Sequence, residues 1–574
     1  MIIIFMNYMK ITHFLKFSLG FVLLSLSFVF FSCKKDDPAP VVPEVDYGYE
    51  HLTALSVVLK GKLDVPEASV EEYGFQYEND RTGISTLVQA HYVDERNRYS
   101  LAIRNLEPDT QYAFRSFCRV DGEISYGEVF TFTTKELSTV VTTHSVSDLT
   151  GISVNLNGRL DDGLFYAYDA AVLEYGFKWG KSATSLDKKE VCDQLSVNAF
   201  STSLFNLLPS TQYAFQAYFK VGSREFVGAT ITFTTEDATN LSSFESANCY
   251  VVSTSGGYKF KAVMGNDLSA SLYDANQAEV LWESFGTSTA PSRGDIIRNL
   301  SYSDDYVNFT TPSPLKNGNA VIAVRDVAGN ILWSWHIWVC DKYDPANHIQ
   351  TYFNEAGKMM DRNLGATSDT PGDVRAFGLL YQWGRKDPFL GSCETSRAVS
   401  TLASWPLPVA SDADNGTIAF AVAHPTSFIK YNDLNSDWFY SGTSSTDDSR
   451  WQSEKTIYDP CPPGWQVPAG GPNGVWATAS NVASGYFSHP FDSTNKGMNF
   501  SGKFGSYNSV WYPAAGYLLG RDGGLTFVGS GGYWYSHTTA DSFVYTLSLD
   551  GDGKVGPTRI DGRAHAMSVR CCRQ

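Results

Sequence analysis

The chain has 574 residues, which is too long for one hydrophobic core, so we expect several domains. Aromatic residues make up 14% and charged residues only 18%, which favours folded, β-rich modules and argues against disorder. The formal net charge is −17 and no basic run is present. This disfavours nucleic acid as a partner, because phosphate contacts need clustered lysines and arginines.

The first 33 residues are arranged like a secretory signal. Lys10 and Lys16 precede an apolar run over residues 17–32, which is shorter than the ~20 apolar residues of a comfortable membrane span. The run ends at Cys33. This arrangement resembles a bacterial lipoprotein signal, and the resemblance implies that Cys33 is lipidated and anchors the chain in a membrane.

Residues 34–45 form a polar spacer. The tetrad Lys34-Lys35-Asp36-Asp37 resembles the export tag of surface-exposed lipoproteins in Bacteroidetes-type bacteria. The prolines that follow it predict an extended linker. We therefore expect a protein of the cell outer membrane that faces the extracellular side.

An internal repeat follows the spacer. The sequence NLEPDTQYAF at residues 105–114 returns as NLLPSTQYAF at residues 206–215, and each copy ends in a strand with Phe-Thr-Thr. Short alternating strands between Gly, Asp and Pro turns predict antiparallel sandwiches. The motif resembles fibronectin type III domains, over residues 46–136 and 139–236. Such modules are expected to act as spacers.

Residues 243–341 predict a third β-domain. The sequence ILWSWHIWV at residues 331–339 alternates as a strand, with Trp333 and Trp335 on one face and His336 on the other. A strand histidine without a neighbouring carboxylate or second histidine is expected to be a hydrogen-bonded structural residue.

Residues 349–574 contain a series of ordered motifs: DRNLGA at 361–366, GLLYQWGRKDPF at 378–389, YDPCPPGWQVP at 458–468 and SVRCCR at 568–573. This series resembles the Fibrobacter succinogenes major paralogous domain, which occurs in surface lipoproteins of gut Bacteroidetes. That domain is similar to the C-type-lectin-like fold, which implies two short helices and a small, loop-rich sheet. We place a helix candidate at residues 378–383.

The expected fold class is therefore mostly β and multidomain. It comprises two fibronectin type III-like sandwiches, a third β-domain and a C-terminal α+β C-type-lectin-like domain.

Neither metal nor cofactor is expected. The Glu-Pro-Asn and Gln-Pro-Asp tripeptides that hold calcium in C-type lectins are absent, so the resemblance does not imply that site. The Asp-rich turns at residues 412–416 and 550–554 lack the downstream glutamate of a twelve-residue calcium loop.

The cysteines predict two cross-links, because disulfides are allowed in an exported protein. We expect Cys461 to pair with Cys571 or Cys572, which would tie the Pro-rich loop to the last strand. We also expect Cys249 to pair with Cys340 and close the third β-domain.

Loop tryptophans are the candidates for ligand binding. Aromatic faces stack on sugar rings and on partner side chains, and tryptophan dominates many binding hot spots. The alternative, that each tryptophan packs down as a local core, stays open. The candidates lie in sequence without strand or helix periodicity: Trp405, Trp438, Trp451 and Trp476.

No common catalytic motif is present in the sequence, so we expect a non-catalytic, lipid-anchored binding or adhesion protein. Its C-terminal domain would recognise a glycan or a host or bacterial surface protein. One alternative is a carbohydrate-active enzyme, whose carboxylates cannot be recognised from sequence alone. Another is a structural component of the surface or of fimbriae.

Overall fold

Residues 48–63, 70–169 and 173–574 are described by the structure, which is a computed structural model. The predicted signal sequence, Cys33 and the spacer lie outside these ranges. Within them the protein is mostly β and multidomain, which confirms the predicted fold class at that level. No helix in the described ranges is long and apolar enough to cross a membrane.

The first compact unit comprises the described residues up to Leu52 and Ser56–Thr134. Its strands are β1 (Tyr49–Glu50), β2 (Ser56–Lys62), β3 (Glu72–Asn79), β4 (Ile84–Gln89), β5 (Arg98–Arg104), β6 (Gln111–Val120), β7 (Glu123–Tyr126) and β8 (Phe130–Thr133). One sheet has the order β1-β2-β5 and the other β4-β3-β6-β7, with β8 also paired to β6. Two sheets around an aromatic core form a fibronectin type III-like sandwich.

The second compact unit comprises Thr53–Leu55 and Lys135–Gln574, and it begins with the second sandwich. That sandwich contains β9 (Val141–Ser147), β10 (Val154–Leu160), α1 (Leu164–Ala167), β11 (Leu173–Gly180), β12 (Lys188–Cys192), β13 (Ala199–Leu204), β14 (Gln212–Val221), β15 (Arg224–Val227) and β16 (Ile231–Thr234). Its sheets have the orders β13-β10-β9 and β12-β11-β14-β15, with β16 on β14. The arrangement repeats that of the first sandwich.

The repeated Pro-x-Thr-x-Tyr motif builds the same corner in both sandwiches. The hydroxyl of Tyr112 accepts a hydrogen bond from the backbone N–H of Glu107 at 2.9 Å. In the second copy the hydroxyl of Tyr213 accepts from Leu208 at 3.0 Å. A tyrosine corner of this kind satisfies a backbone donor that would otherwise be buried without a partner. The motif is therefore structural in both copies.

Two further sheets follow the second sandwich. They contain β17 (Thr239–Asn240), β18 (Cys249–Val252), β19 (Gly257–Lys261), β20 (Gln277–Ser284), β21 (Arg298–Ser303), β22 (Tyr306–Thr310), β23 (Gly318–Arg325) and β24 (Ile331–Val339). The orders are β17-β19-β22-β21 and β18-β24-β23-β20. Both faces of β24 are buried: Trp335 faces the core between these two sheets, and Trp338 faces a core shared with residues after 349. Residues 243–341 and 349–574 therefore pack around a common core.

The region after residue 349 is irregular. It contains β25 (Ile349–Tyr352), β26 (Gly357–Met360), β27 (Leu380–Gln382), β28 (Ser392–Cys393), β29 (Ser396–Arg397), α2 (Ile418–Ala423), β30 (Trp465–Gln466), α3 (Val475–Ser480), β31 (Phe487–Ser488), β32 (Gly497–Asn499), β33 (Trp511–Pro513), β34 (Tyr517–Leu518), β35 (Leu525–Thr526), β36 (Gly531–Ala540), β37 (Phe543–Asp550), β38 (Lys554–Gly562), β39 (Ala566–Ser568) and β40 (Cys572–Arg573). The largest sheet has the order β31-β38-β37-β36-β39-β34-β35, with β27 on β39. The helix predicted at residues 378–383 is wrong, because this segment pairs as β27 with β39.

A buried lysine organises the Pro-rich loop. The ammonium group of Lys455 donates to the carbonyls of Cys461, Pro462 and Trp465 at 3.0, 2.8 and 2.7 Å. The carboxylate of Asp459 accepts from two backbone N–H groups of the same loop. Prolines supply no N–H, so a loop rich in them leaves carbonyls that need another donor. Lys455 fills that role.

Cys461 and Cys571 form a disulfide, which is one of the two pairings expected for Cys461, and Cys572 is free. The pairing predicted between Cys249 and Cys340 is wrong, because both thiols are free and buried. The strand register explains this. Cys249 lies opposite His336 in the parallel β18–β24 pair, four residues before Cys340. Four strand residues span ~13 Å, well beyond the Cα separation that a disulfide allows.

We expect Cys461→Ala to lower the free energy of unfolding by ~2–5 kcal/mol, because the bond closes a loop with a sequence separation of 110 residues. Urea unfolding followed by tryptophan fluorescence measures this. The double variant Cys461→Ala/Cys571→Ala should match the single one. The control Cys572→Ser removes a neighbouring free thiol and should cost less than ~1 kcal/mol. Equal losses in all three variants would contradict a stabilising bond.

Candidate functional site

Three of the four candidate ligand-binding tryptophans are buried, so the interpretation of these three as ligand-binding residues is wrong. Trp438 and Trp451 are 1% exposed and Trp476 is 0% exposed. Their indole N–H groups donate to the carbonyls of Trp383 and Tyr458 and to the hydroxyl of Tyr512. The alternative left open by the sequence, local packing, is what the structure contains.

Trp405 is partly buried and does not form an open platform either. It packs on the core beside Trp282, with ring centroids 5.8 Å apart, and its indole N–H donates to Ser400. The four tryptophans therefore pack in the interior of the segment between residues 391 and 480 and stabilise it.

Buried arginines pack on Trp438 and on the neighbouring Trp383. Arg450 and Arg563, both 0% exposed, lie 4.8 and 4.5 Å from the Trp383 ring centroid. Arg450 makes a two-point ion pair with the fully buried Asp437, and Arg563 donates to Asp448 at 2.6 Å. Buried charges need such partners because desolvation is costly. These charged side chains therefore stabilise the fold and are not a binding site.

His336 is a structural residue, as expected. Its Nε2 donates to the Oδ1 of Asn319 at 2.9 Å, and its Nδ1 accepts from the hydroxyl of Tyr381 at 3.3 Å. The Asn319 amide group donates to the carbonyl of Gly365, which fixes its orientation. Burial lowers the pKa of His336 to about 3, so the ring is neutral.

We expect the free energy of unfolding to fall as the pH drops from 6.5 towards 3. In this range His336 binds a proton in the unfolded chain but stays neutral in the folded protein. This residue contributes at most ~1.4 kcal/mol per pH unit in that window. His336→Gln keeps a donor for Asn319 and removes the titration. Tryptophan-fluorescence unfolding at pH 7.5, 5.5 and 4.5 should give a shallower pH dependence for the variant. Parallel curves would contradict this assignment.

In each of the two Asp-rich turns, an aspartate carboxylate accepts hydrogen bonds from backbone N–H groups of the same turn. Asp412 accepts from the backbone N–H groups of Asp414 and Asn415. Asp550 accepts from those of Asp552 and Lys554 at the tip between β37 and β38. Within the described ranges no group of three or more His, Cys, Asp or Glu side chains is arranged to hold a metal ion.

A partly exposed aromatic surface lies on the sheet formed by β36, β37 and β38, where Tyr486 and Phe527 are exposed, while Tyr517 and Tyr533 are 9% and 7% exposed and belong to the buried core. Trp534 and Leu547 point to the interior, so Tyr533, Ser548 and Arg559 point to the opposite face. We call this surface the tyrosine–arginine face and define it by six residues that lie side by side: Tyr486, Tyr517, Phe527, Tyr533, Arg559 and Asp561.

Three rings of this face, those of Tyr517, Phe527 and Tyr533, form a continuous cluster. Tyr517 lies 4.8 Å from Tyr533 and 5.9 Å from Phe527, measured between ring centroids. A Cβ added to Gly556 would meet the Tyr486 ring at 2.8 Å, so glycine is needed for this tyrosine to lie against β38. Phe527 and Tyr486 are 52% and 53% exposed and are the two exposed rings of the face.

Arg559 is fixed at its inner end and open at its outer end. Its Nε donates to both carboxylate oxygens of Asp561 at 3.0 Å, and Asp561 also accepts from Thr546 at 2.6 Å. Burial lowers the pKa of Arg559, but Asp561 outweighs that effect and the net pKa is raised. The guanidinium lies 5.3 Å from the Tyr533 ring centroid and stays charged.

Tyr517 and Tyr533 keep their protons. Burial raises the pKa of Tyr533 to about 12, and burial also raises the pKa of Tyr517. The hydroxyls of Tyr486, Tyr517 and Tyr533 make no hydrogen bond to any residue in the described ranges. A face with phenol groups, open rings and an oriented guanidinium suits recognition of a polar, ring-bearing partner.

Phe527 has a strained backbone. Its φ is +58°, in the left-handed region that costs a bulky residue roughly 1–2 kcal/mol. The carbonyl of Phe527 accepts from Ser530 and Gly531, which holds the turn. Glycine would relieve the strain, yet an exposed phenylalanine occupies the position. Such strain is concentrated at functional sites.

Two variants of Phe527 separate strain from side-chain contacts. Both Phe527→Ala and Phe527→Gly remove the ring, but only glycine relieves the left-handed backbone. We expect the glycine variant to be more stable than the alanine variant by ~1 kcal/mol. Urea unfolding of both variants measures the difference. Equal stabilities, or a less stable glycine variant, would show that this backbone is not strained.

No family model and no curated protein matches the chain. Among solved structures, a two-domain fibronectin type III segment from chicken tenascin matches at 17% identity, with 34% of this chain and 98% of that one covered and a TM-score of 0.15. A computationally redesigned β-sandwich matches at 24% identity, covering 17% and 96%, with a TM-score of 0.14. The sensor domain of the anti-sigma factor RsgI4 of Pseudobacteroides cellulosolvens matches at 16% identity, covering 17% and 74%, with the same TM-score.

Proposed function

We propose that the chain is a non-catalytic binding or adhesion protein of a bacterial cell surface. In this proposal Cys33 carries the lipid anchor in the outer membrane, and the Lys34–Asp37 tetrad directs the chain to the extracellular side. The sandwiches hold residues 243–574 away from the membrane. The tyrosine–arginine face then recognises a glycan or a surface protein.

The observation that carries this proposal is Phe527. An exposed phenylalanine in a left-handed turn weakens the fold and contributes only partial packing, so selection for folding does not account for it. It lies beside three tyrosines and an arginine, and Tyr and Arg are residue types enriched at binding hot spots. Recognition of a partner accounts for both features.

We also assign residues 349–574 to the C-type-lectin-like fold and to the Fibrobacter succinogenes major paralogous domain. Two short helices, α2 and α3, and the many short, irregular strands of this region support this assignment. The ordered sequence motifs support it as well. DRNLGA and the Gly378–Phe389 segment lie in the core, where Asn363 accepts from Trp534 at 2.7 Å and Gln382 donates to Ile429 and Ala564.

The non-catalytic assignment rests on how the carboxylate of the face is used. Asp561 is 9% exposed and is bound by Arg559 and Thr546, so it is not free to act as a proton donor or nucleophile. Glycoside hydrolysis needs two carboxyl groups placed on either side of the scissile bond, and Asp561 is not available as one of them.

The proposal is tested with the purified full chain on a glycan array and on a panel of surface proteins. We expect Phe527→Ala and Tyr486→Ala each to weaken binding of the ligand found by about tenfold or more, because hot-spot aromatics contribute ≥ ~2 kcal/mol. The matched control is Leu407→Ala, which removes an apolar side chain that is 85% exposed and not part of the face.

Several results would contradict the proposal. They are binding that all three variants retain, turnover of a polysaccharide, or the absence of any ligand. Cells that carry Cys33→Ala serve as a control for the anchor: they should release the chain from the membrane fraction, and intact cells with Cys33 should lose it to added protease.

A further inference from the structure

We infer that the ligand of the tyrosine–arginine face is a saccharide that carries a carboxylate, which docks on the terminal amino groups of Arg559. This inference rests on the proposed function and names the chemical class of its ligand. Three observations lead to it: the open guanidinium, the charge around the rings, and the arrangement of rings and hydroxyls.

The guanidinium of Arg559 presents an unused pair of donors. Its Nε is taken by Asp561, but Nη1 and Nη2 make no hydrogen bond to any residue in the described ranges. The Arg559 side chain is 37% exposed, whereas that of Asp561 is 9% exposed. By contrast, Arg450 and Arg563 use their terminal amino groups on internal carboxylates and carbonyls. Arg559 is thus oriented by Asp561 with its planar fork directed outwards.

The two terminal amino groups of Arg559 match the geometry of a carboxylate. Two parallel N–H groups in one plane bind the two oxygens of such a group with charge-assisted hydrogen bonds. Lys554 adds a second exposed cation, with its Nζ 4.0 Å from the Tyr486 ring centroid. Both cations lie beside carboxylates, Arg559 beside Asp561 and Lys554 beside Asp550, so the favourable charge is local to the two terminal amino groups of Arg559 and is not a net cationic patch. Charge complementarity therefore favours an anionic group over a neutral one.

The rings and hydroxyls favour a sugar as the bearer of that carboxylate. Phe527 and Tyr486 offer exposed aromatic rings, suited to the C–H face of a pyranose ring. The side chains of Tyr517 and Tyr533 are only 9% and 7% exposed, so their contribution is limited to hydroxyls that make no hydrogen bond within the described ranges and can both donate and accept, as sugar hydroxyls do. A uronic or sialic acid combines a planar carboxylate, several hydroxyls and an apolar ring face in one residue.

The experiment measures affinities of the full chain for matched pairs of probes by titration calorimetry. The pairs are 3′-sialyllactose with lactose, and an oligogalacturonate with its carboxyl-reduced counterpart. A sulfated oligosaccharide gives a separate arm for other anions. We expect each carboxylated member of a pair that binds to do so ~10–100-fold more tightly than its neutral partner, which is the value of a charged hydrogen-bond pair.

Variants then test whether Arg559 causes the preference. Arg559→Gln should reduce the ratio within a pair to about threefold or less while binding of the neutral member persists, and Arg559→Lys should retain part of the preference through its charge. The matched control is Arg521→Gln, an exposed arginine on another loop. Unchanged unfolding midpoints show that each variant is folded.

The outcomes separate this inference from the proposed function. Equal affinity within each pair, a stronger preference for the sulfated probe, or a ratio unaffected by Arg559→Gln overturns the inference and leaves a face that binds another ligand. Binding of surface proteins alone does the same. If no probe and no protein binds, or if Phe527→Ala and Tyr486→Ala leave all binding unchanged, the proposed function itself is overturned.

Discussion

Strand β24 has no solvent-facing side, and the rest of the second unit after residue 243 depends on this constraint. One face supplies Trp333 and Trp335 to the core of its own sandwich. The other face carries polar side chains into the shared core, where His336 bonds to Asn319 and Tyr381 and Ser334 bonds to Asp387. An unsatisfied polar group in such a place is expensive. The polar contacts therefore specify how the segment that contains Tyr381 and Asp387 packs on the strand.

Local features of the fold could be predicted from the sequence, whereas long-range register could not. The tyrosine corner joins residues five positions apart, so the repeated motif is sufficient to predict both sandwiches. The helix expected at residues 378–383 fails because its apolar run is short, and pairing with residues 566–568 makes it a strand. The expected Cys249–Cys340 bond fails because the β18–β24 register, which no local pattern encodes, places the two thiols apart.

The same distinction explains the candidate site. Sequence patterns show that Trp438 and Trp451 lie outside regular strands, but they do not show that Arg450 packs on Trp438 or that Trp451 packs on Trp383. Arg563 reaches Trp383 from a position 180 residues away in the chain. For Tyr533 a signal was present: alternation along Gly532–Ser536 puts Trp534 and Tyr533 on opposite faces. The left-handed turn at Phe527 and the approach of Tyr486 to Gly556 are tertiary features and leave no such signal.

The pairings of residues 566–573 have a consequence for the order in which the chain assembles. These residues complete two sheets at once: Ser568 pairs with Leu380, and Cys572 pairs with Met359 and Gln466. A chain that is synthesised amino end first can close both sandwiches early, since their pairings are contained within each repeat. The strands β26, β27 and β30 instead keep an unpaired edge, and Cys461 keeps a free thiol, until residues 566–573 arrive. These edges are thus the ones exposed longest to proteases and to pairing with neighbouring chains.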